Sequence, residues 1–360
     1  MEILYGIPVI GFVVQFLAYL IDAIFTTNLP AQTLQLATPI ALGALCGVMN
    51  ERSGIVNIGI EGMMLTSAFV GFMAAVVVNE AMPATPGIFG ATPALIVGLL
   101  AAVGAGMLVS ALHAWLSISV RADQIISGTV INIIALGLTG YLNRLIRPSG
   151  SAGTFDVLQP PAQLLDLPIV GWIVRMFFSS GPITTSVIFL VILLQVLLFR
   201  SRWGLRTRAV GEHPRAADTV GIDVIRLRYR NVILGGVFAG LAGAWLTLEF
   251  NASFQNGMTA NRGFIALAAV IFGRWTPIGA FGGALLFMVS EALGIAIRAN
   301  PPAGDLGVFL TNIQATYPSL YNNFFGALPY LLTMIVLAGV VGRSIPPAAV
   351  GRPYVKEGAS

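Results

Sequence analysis

The chain has 360 residues, of which 56% are hydrophobic and only 9% charged, and its mean hydropathy is +0.86. A soluble domain carries about 25% charged residues, so this chain lacks the polar surface to face water, and its long apolar runs argue against one large soluble core. Its net charge of +4 rests on 18 arginines and one lysine, Lys356, a balance that in a membrane protein reports cytoplasmic topology rather than nucleic-acid binding.

A spanning helix needs roughly 20 mostly apolar residues. In chain order the candidates are 5–25, 31–50, 54–78, 93–118, 124–144, 184–200, 229–249, 259–273, 277–298 and 325–342. About ten spans therefore predict an all-α, polytopic transmembrane bundle, read as one domain over residues 1–360. The first stretch contains Pro8 and Asp22. Residues 1–4 lack the basic region of a cleavable signal, so this helix is expected to be an uncleaved targeting segment. The lone cysteine, Cys46, rules out an intramolecular disulfide and reads as a small buried residue.

Next comes Asn50-Glu51-Arg52-Ser53-Gly54-Ile55-Val56-Asn57-Ile58-Gly59-Ile60-Glu61-Gly62-Met63-Met64. Three glycines in nine residues weaken a helix, which at membrane depth is tolerated where the backbone faces protein or a water-filled path. Asn57 and Glu61 are four apart, so they are expected to share one helical face. An ionisable group there points to function; the competing reading is a structural hydrogen bond or an ion pair with Arg52. Asn132, in 124–144, fits either the wall of a polar path or helix–helix glue. His113, alone in an apolar span, reads as a packed, hydrogen-bonded residue. With His213 far away and one cysteine, there is no metal signal.

The cytoplasmic side is marked by eight arginines between Arg200 and Arg230. Counting outward places both termini in the cytoplasm, with Arg52, Arg121, Arg274, Arg343, Arg352 and Lys356 inside and Arg144, Arg147, Arg175, Arg262 and Arg298 outside. The loops 145–183 and 299–324 are then external. Within 200–230, Pro214 suits a first helical turn, Ala216, Ala217 and Val220 make a small apolar face, and Gly221 suits a stop. This is either a docking knob for a soluble partner or a solvated loop.

Further on, Glu249-Phe250-Asn251-Ala252-Ser253-Phe254-Gln255-Asn256-Gly257-Met258-Thr259-Ala260-Asn261-Arg262-Gly263-Phe264 alternates amides with aromatics. Such a surface suits a ring-bearing, hydroxylated solute, or equally an interfacial loop with aromatic anchors. Phe254, Asn256 and Phe264 are its candidate contact residues, with Asn57, Glu61 and Asn132. The span 259–273 is short, hence tilted, broken or re-entrant. Arg52–Ile58 and Arg262–Leu267 each open a glycine-punctuated second span of four. Residues 31–145 and 229–342 are therefore expected to form inverted repeats, whose interface commonly carries a substrate path. No nucleophile–base pair supports an intramembrane enzyme. A phosphate-binding loop needs Gly-x-x-x-x-Gly-Lys-Ser/Thr, and the only lysine stands in Val355-Lys356-Glu357.

Three segments carry a resemblance: Glu51–Met64, Arg208–Ala217 and Arg262–Trp275. Through them the chain, from about residue 31 to 342, resembles the membrane permeases of bacterial ABC importers of the branched-chain amino acid/ribose superfamily, most of all the nucleoside and simple-sugar type. The resemblance implies a bacterial cell-membrane protein that pairs with a second permease, related or identical. It also implies an ATP-binding subunit that binds ATP and magnesium on the cytoplasmic side, and an external substrate-binding lipoprotein. Gly211, Glu212, His213, Pro214, Arg215, Ala216, Ala217 and Gly221 match the family's coupling helix, and the motifs near Asn57 and Phe264 would line the path. Residues 1–30 carry no family motif. The alternative expectation is a secondary transporter using Glu61, Glu249 and Glu291 as ion-coupling groups.

Overall fold

The structure, a computed structural model, describes residues 8–25, 29–82, 86–87, 90–146, 150–339 and 344–355. Residues 1–7, Arg147, Arg343, Lys356 and positions 340–342 of the last expected span lie outside them. The described residues contain helices and no strand: α1 Pro8–Phe25, α2 Leu29–Glu51, α3 Ile60–Ala81, α4 Pro93–Ala114 with a π turn Trp115–Ser119, α5 Gln124–Ile146, α6 Ala162–Leu165, α7 Pro168–Phe178, α8 Pro182–Arg200, α9 Arg202–Glu212, α10 Pro214–Thr219, α11 Val224–Ala244 with a π turn Trp245–Phe250, α12 Arg262–Phe272, α13 Pro277–Ala299, α14 Asp305–Thr316 and α15 Pro318–Gly339.

Seven of these, α2, α3, α4, α5, α8, α11 and α13, are long and apolar enough to cross a membrane. The chain is a multi-pass membrane protein. Of the three further expected spans, the first shows a short apolar helix, Gly11–Phe25, and 259–273 an 11-residue one, Arg262–Phe272. The third falls on α15 and runs past the described residues. The loops expected at 145–183 and 299–324 contain helices. Pro168 opens α7 at a position where its missing N–H costs nothing, and Asp305 places an acid in the first turn of α14.

The contacts divide into two compact units. One draws on Met1–Ala37, Gln159–Ser180 and Leu285–Gly342. Its core joins Ile297, Tyr321 and Phe325, with Tyr321 edge-on to Phe325 at 4.8 Å. Gln15 accepts the Leu306 N–H (2.8 Å), and the Trp172 indole donates to the Ile24 carbonyl (2.8 Å).

The other unit draws on Thr38–Leu158, Gly181–Ala284 and Arg343–Ser360. Its centre is the packing of α3, α4 and α11, and small residues set how close these helices come. In lipid, association relies on close van der Waals packing, which Gly-x-x-x-Gly faces permit. Gly236 and Gly240 of α11 form such a pair against Gly106 of α4. A Cβ on Gly106 would lie 2.4 Å from the Gly236 carbonyl oxygen and 2.8 Å from the Gly240 nitrogen. Gly106→Ala must therefore push two backbones apart, at a cost of about 1–3 kcal/mol. A lowered melting midpoint in detergent is the expected reading. Gly104→Ala, on the same helix with nothing within 4 Å, should leave the midpoint unchanged. Outward, α5 shows Ile126, Val130 and Leu145 and α8 shows Phe189 and Ile192, apolar faces suited to lipid or to another apolar protein surface.

Candidate functional site

After Glu51 the chain does not re-enter a helix until Ile60. Arg52 holds the start of this break, donating to the carbonyls of Trp275 (2.7 Å) and Arg274 (3.2 Å), while the Trp275 indole donates to the Glu51 carboxylate. Asn57 Oδ1 accepts the Gly59 N–H at 3.0 Å. That turn lies before the first helical residue, so Asn57 and Glu61 do not share a helical face as their spacing predicts. An asparagine that bonds the backbone two residues on competes with helix formation, and the glycines remove the resistance to it. Asn57 is fully buried beside Met63 and does not reach the cavity below. His113 secures the break from behind, its ring nitrogens contacting the Val56 carbonyl (2.9 Å) and the Ser127 hydroxyl (3.1 Å).

Glu61, in the first turn of α3, pairs with backbone donors rather than with Arg52. Its two carboxylate oxygens accept the N–H groups of Asn261 (2.9 Å) and Gly263 (2.6 Å). The first N–H groups of a helix have no internal partner, and its N-terminus carries partial positive charge. Glu61 therefore caps α12 from another helix. The close approach requires Gly263, where a Cβ would sit 2.6 Å from the Glu61 backbone. Asn132 performs the matching task on α3, with Oδ1 accepting the Gly62 N–H (2.7 Å) and Nδ2 donating to the Ile58 carbonyl (3.0 Å).

These groups open onto a cavity of about 300 Å³ lined by Glu61, Gly62, Leu65, Asn132, Ile133, Leu136, Gly257, Thr259, Ala260, Asn261 and Phe264. The structure thus brings together three expected contact residues: Glu61, Asn132 and Phe264. Phe254 is buried instead, edge-on to Phe69 at 5.1 Å, and Asn256, which accepts from Asn143 (3.1 Å), is not among the lining residues. The apolar wall of Leu65, Ile133 and Leu136 is the part that polar motifs could not show. Its signal was helical spacing, since Leu65 is four residues from Glu61 and Leu136 four from Asn132.

From its N-terminus at Glu61 to the Arg52–Trp275 contacts, α12 has 11 residues, about 16 Å at 1.5 Å each.

A second intramembrane carboxylate is arranged alike. Glu249 accepts the N–H groups of Ile183 (2.6 Å) and Thr184 (3.1 Å) and the Thr184 hydroxyl (2.5 Å), capping α8. The helix has no cap of its own, because Gly181 brings no side chain and Pro182 no donor.

At the arginine-rich side, α9 and α10 form the expected punctuated loop. Pro214 opens α10, and Gly221, at φ +82°, donates to the Asp218 carbonyl (2.9 Å). Its apolar face is split, contrary to expectation. Ala217 packs inward with Val210 and Val224, while Ala216 and Val220, one turn apart, are exposed. An apolar stripe about 100° wide would hold all three, but α10 ends at Thr219 and only Ala217 meets the cluster beneath it. His213 and Arg215 are exposed, Gly211 is buried and Glu212 half-buried. A second cavity, of about 540 Å³, lies between Glu212–Ala216 and residues 348–355.

Long apolar helices, one of them broken beside a cavity that holds capped helix ends, define a polytopic membrane protein. The chain belongs to the branched-chain amino acid transport system / permease component family, whose model matches residues 29–337. It is 39% identical to the guanosine ABC transporter permease protein NupQ of Bacillus subtilis, over 90% of this chain and 95% of that one. To the nucleoside ABC transporter permease protein NupC of Lactococcus lactis it is 37% identical, over 91% and 96%. To the putative glucose ABC transporter permease protein TsgC13 of Haloferax volcanii it is 33% identical, over 92% and 99%.

Proposed function

We propose that this chain is the membrane-spanning subunit of an ATP-driven importer that passes nucleosides, with simple sugars the second choice. The observation that carries this reading is near full-length similarity to permeases named for guanosine and nucleosides, at higher identity than to the one named for glucose. The cavity supports it. A space of about 300 Å³ with one half-exposed aromatic, Phe264, beside Glu61, Asn132 and Thr259 suits a flat ring carrying hydroxyls.

The ATP-binding subunit, holding ATP and magnesium, would dock on Gly211–Gly221 from the cytoplasm. A lipoprotein would deliver solute from outside, and a second permease, identical or related, would complete the path. The chain would lie in a bacterial cell membrane, with both termini cytoplasmic on arginine placement. Within a bundle of about ten spans, residues 31–145 and 229–342 would act as two inverted repeats of about four spans each, rocking to expose the mid-membrane site to each side in turn. The reading as an ion-driven transporter is weakened because Glu61 and Glu249 both serve as helix caps.

The test is uptake of labelled guanosine by the complex reconstituted in vesicles. Uptake should require ATP, be unaffected by collapsing ion gradients, and be competed by nucleosides far better than by glucose. Gradient-driven uptake without ATP would refute the reading.

A further inference from the structure

We infer that the segment 344–355 is a transmission strap that couples the docking loop to the broken helix leading to the Glu61 cavity. The inference rests on the proposed ATP-driven mechanism and adds positioning residues that no part of that reading assigns.

The strap is tied to both elements. At the docking loop, the Ala349 N–H donates to the Gly211 carbonyl (2.9 Å) and the Ala348 N–H to the Glu212 carboxylate (3.0 Å). Tyr354 packs on the Val210–Ala217–Val224 cluster that anchors α10. At the broken helix, the Gly351 N–H donates to the Gly54 carbonyl (3.2 Å). Arg228 of α11 locks the two together from beneath. Its Nε donates to the Ser53 carbonyl (3.0 Å) and its Nη1 to the Arg352 carbonyl (3.1 Å), with the residue only 1% exposed.

Direct contact allows no slack either. A Cβ on Gly211 would lie 2.2 Å from the Arg52 carbonyl oxygen, and one on Gly54, at φ +91°, would meet both the Arg228 guanidinium (2.6 Å) and the Ala349 carbonyl oxygen (3.2 Å). The Gly211–Ala349 and Gly54–Gly351 bonds, with Arg228 bonded to the neighbouring Ser53 and Arg352 carbonyls, therefore form one block. Gly54 stands seven residues before Glu61, with only the non-helical stretch through Gly59 between them and α3. A loop that closes on its partner moves Gly211. The block carries that displacement to Gly54, and the break at 54–59 passes it to the capped end of α12. Backbone donors and a buried guanidinium suit this role, because a planar fork grips two carbonyls at fixed geometry where a flexible ammonium does not.

The experiment compares two variants of the reconstituted complex with wild type: a Gly-Ser replacement of residues 347–352, and Arg228→Lys, which keeps the charge but loses the fork. Guanosine uptake, ATP hydrolysis and retention of the ATPase subunit on the purified permease are read together. The expected result is a complex that stays assembled and hydrolyses ATP, while solute moved per ATP falls at least about fivefold in the replacement and less in Arg228→Lys. Unchanged transport per ATP would overturn the inference. So would loss of the ATPase subunit, which would make the segment part of the docking surface, or a parallel fall in uptake and hydrolysis. Absence of ATP-driven uptake in wild type would instead refute the importer reading itself.

Discussion

Glu61→Gln is expected to lower ATP-driven uptake by about tenfold or more with membrane insertion intact, since a hydrogen bond to a charged group contributes about 1.5–3 kcal/mol and 1.36 kcal/mol is a factor of ten in rate. The carboxylate accepts two backbone N–H groups, at Asn261 and Gly263, with two separate oxygens. Glutamine has one oxygen and one NH₂. Whichever way the amide turns, one N–H of α12 faces another donor. The end of α12 must then move away from α3, and that end is the floor of the cavity. Glu61→Asp retains both oxygens but withdraws them by one methylene, so its uptake should fall between wild type and the Gln variant. Initial rates in vesicles, normalised to inserted protein, check this. Wild-type uptake by Glu61→Gln would remove the cap from the mechanism.

The sequence made this pair visible only in part. Charge scarcity and apolar run length place the helices, because the bilayer fixes both, and α2, α3, α4, α5, α8, α11 and α13 fall where hydropathy puts them. Glu61 stood out because a carboxylate in an apolar run is costly. Its partner did not, because backbone N–H groups leave no signature in residue type, and Asn261 and Gly263 are 200 and 202 positions away. The spacing of Asn57 and Glu61 misleads for a different reason: the 3.6-residue period holds only inside a helix, and α3 begins after the turn at Gly59. The split of Ala217 from Ala216 and Val220 was not readable from helical geometry, because a stripe about 100° wide holds all three and only packing decides which is covered. Nor was the grip of residues 348–352 on the docking loop, since it runs through main-chain groups of an unremarkable Pro-Ala-Ala-Val-Gly sequence.

The second carboxylate separates capping from ion coupling most sharply. Glu249 is 9% exposed and satisfies three donors at the start of α8, while the Trp245 indole completes the group by donating to the Thr184 hydroxyl oxygen (2.9 Å). Glu249→Ala strips all three donors of their acceptor in a buried setting. An unsatisfied buried donor costs about 1–3 kcal/mol, and partial relaxation keeps the sum near the low end, so a loss of about 3–4 kcal/mol is expected. Glu249→Gln keeps one acceptor and should lose about half as much. Melting midpoints in detergent should therefore fall in the order wild type, Gln, Ala. Uptake per folded molecule should stay near wild type in Glu249→Gln, because this residue lines no part of the cavity. A group that carries a coupling proton or sodium ion would give the opposite pattern. Neutralising it would abolish uptake and leave the melting midpoint unchanged, since losing an ionisable charge inside the membrane relieves a cost rather than adding one.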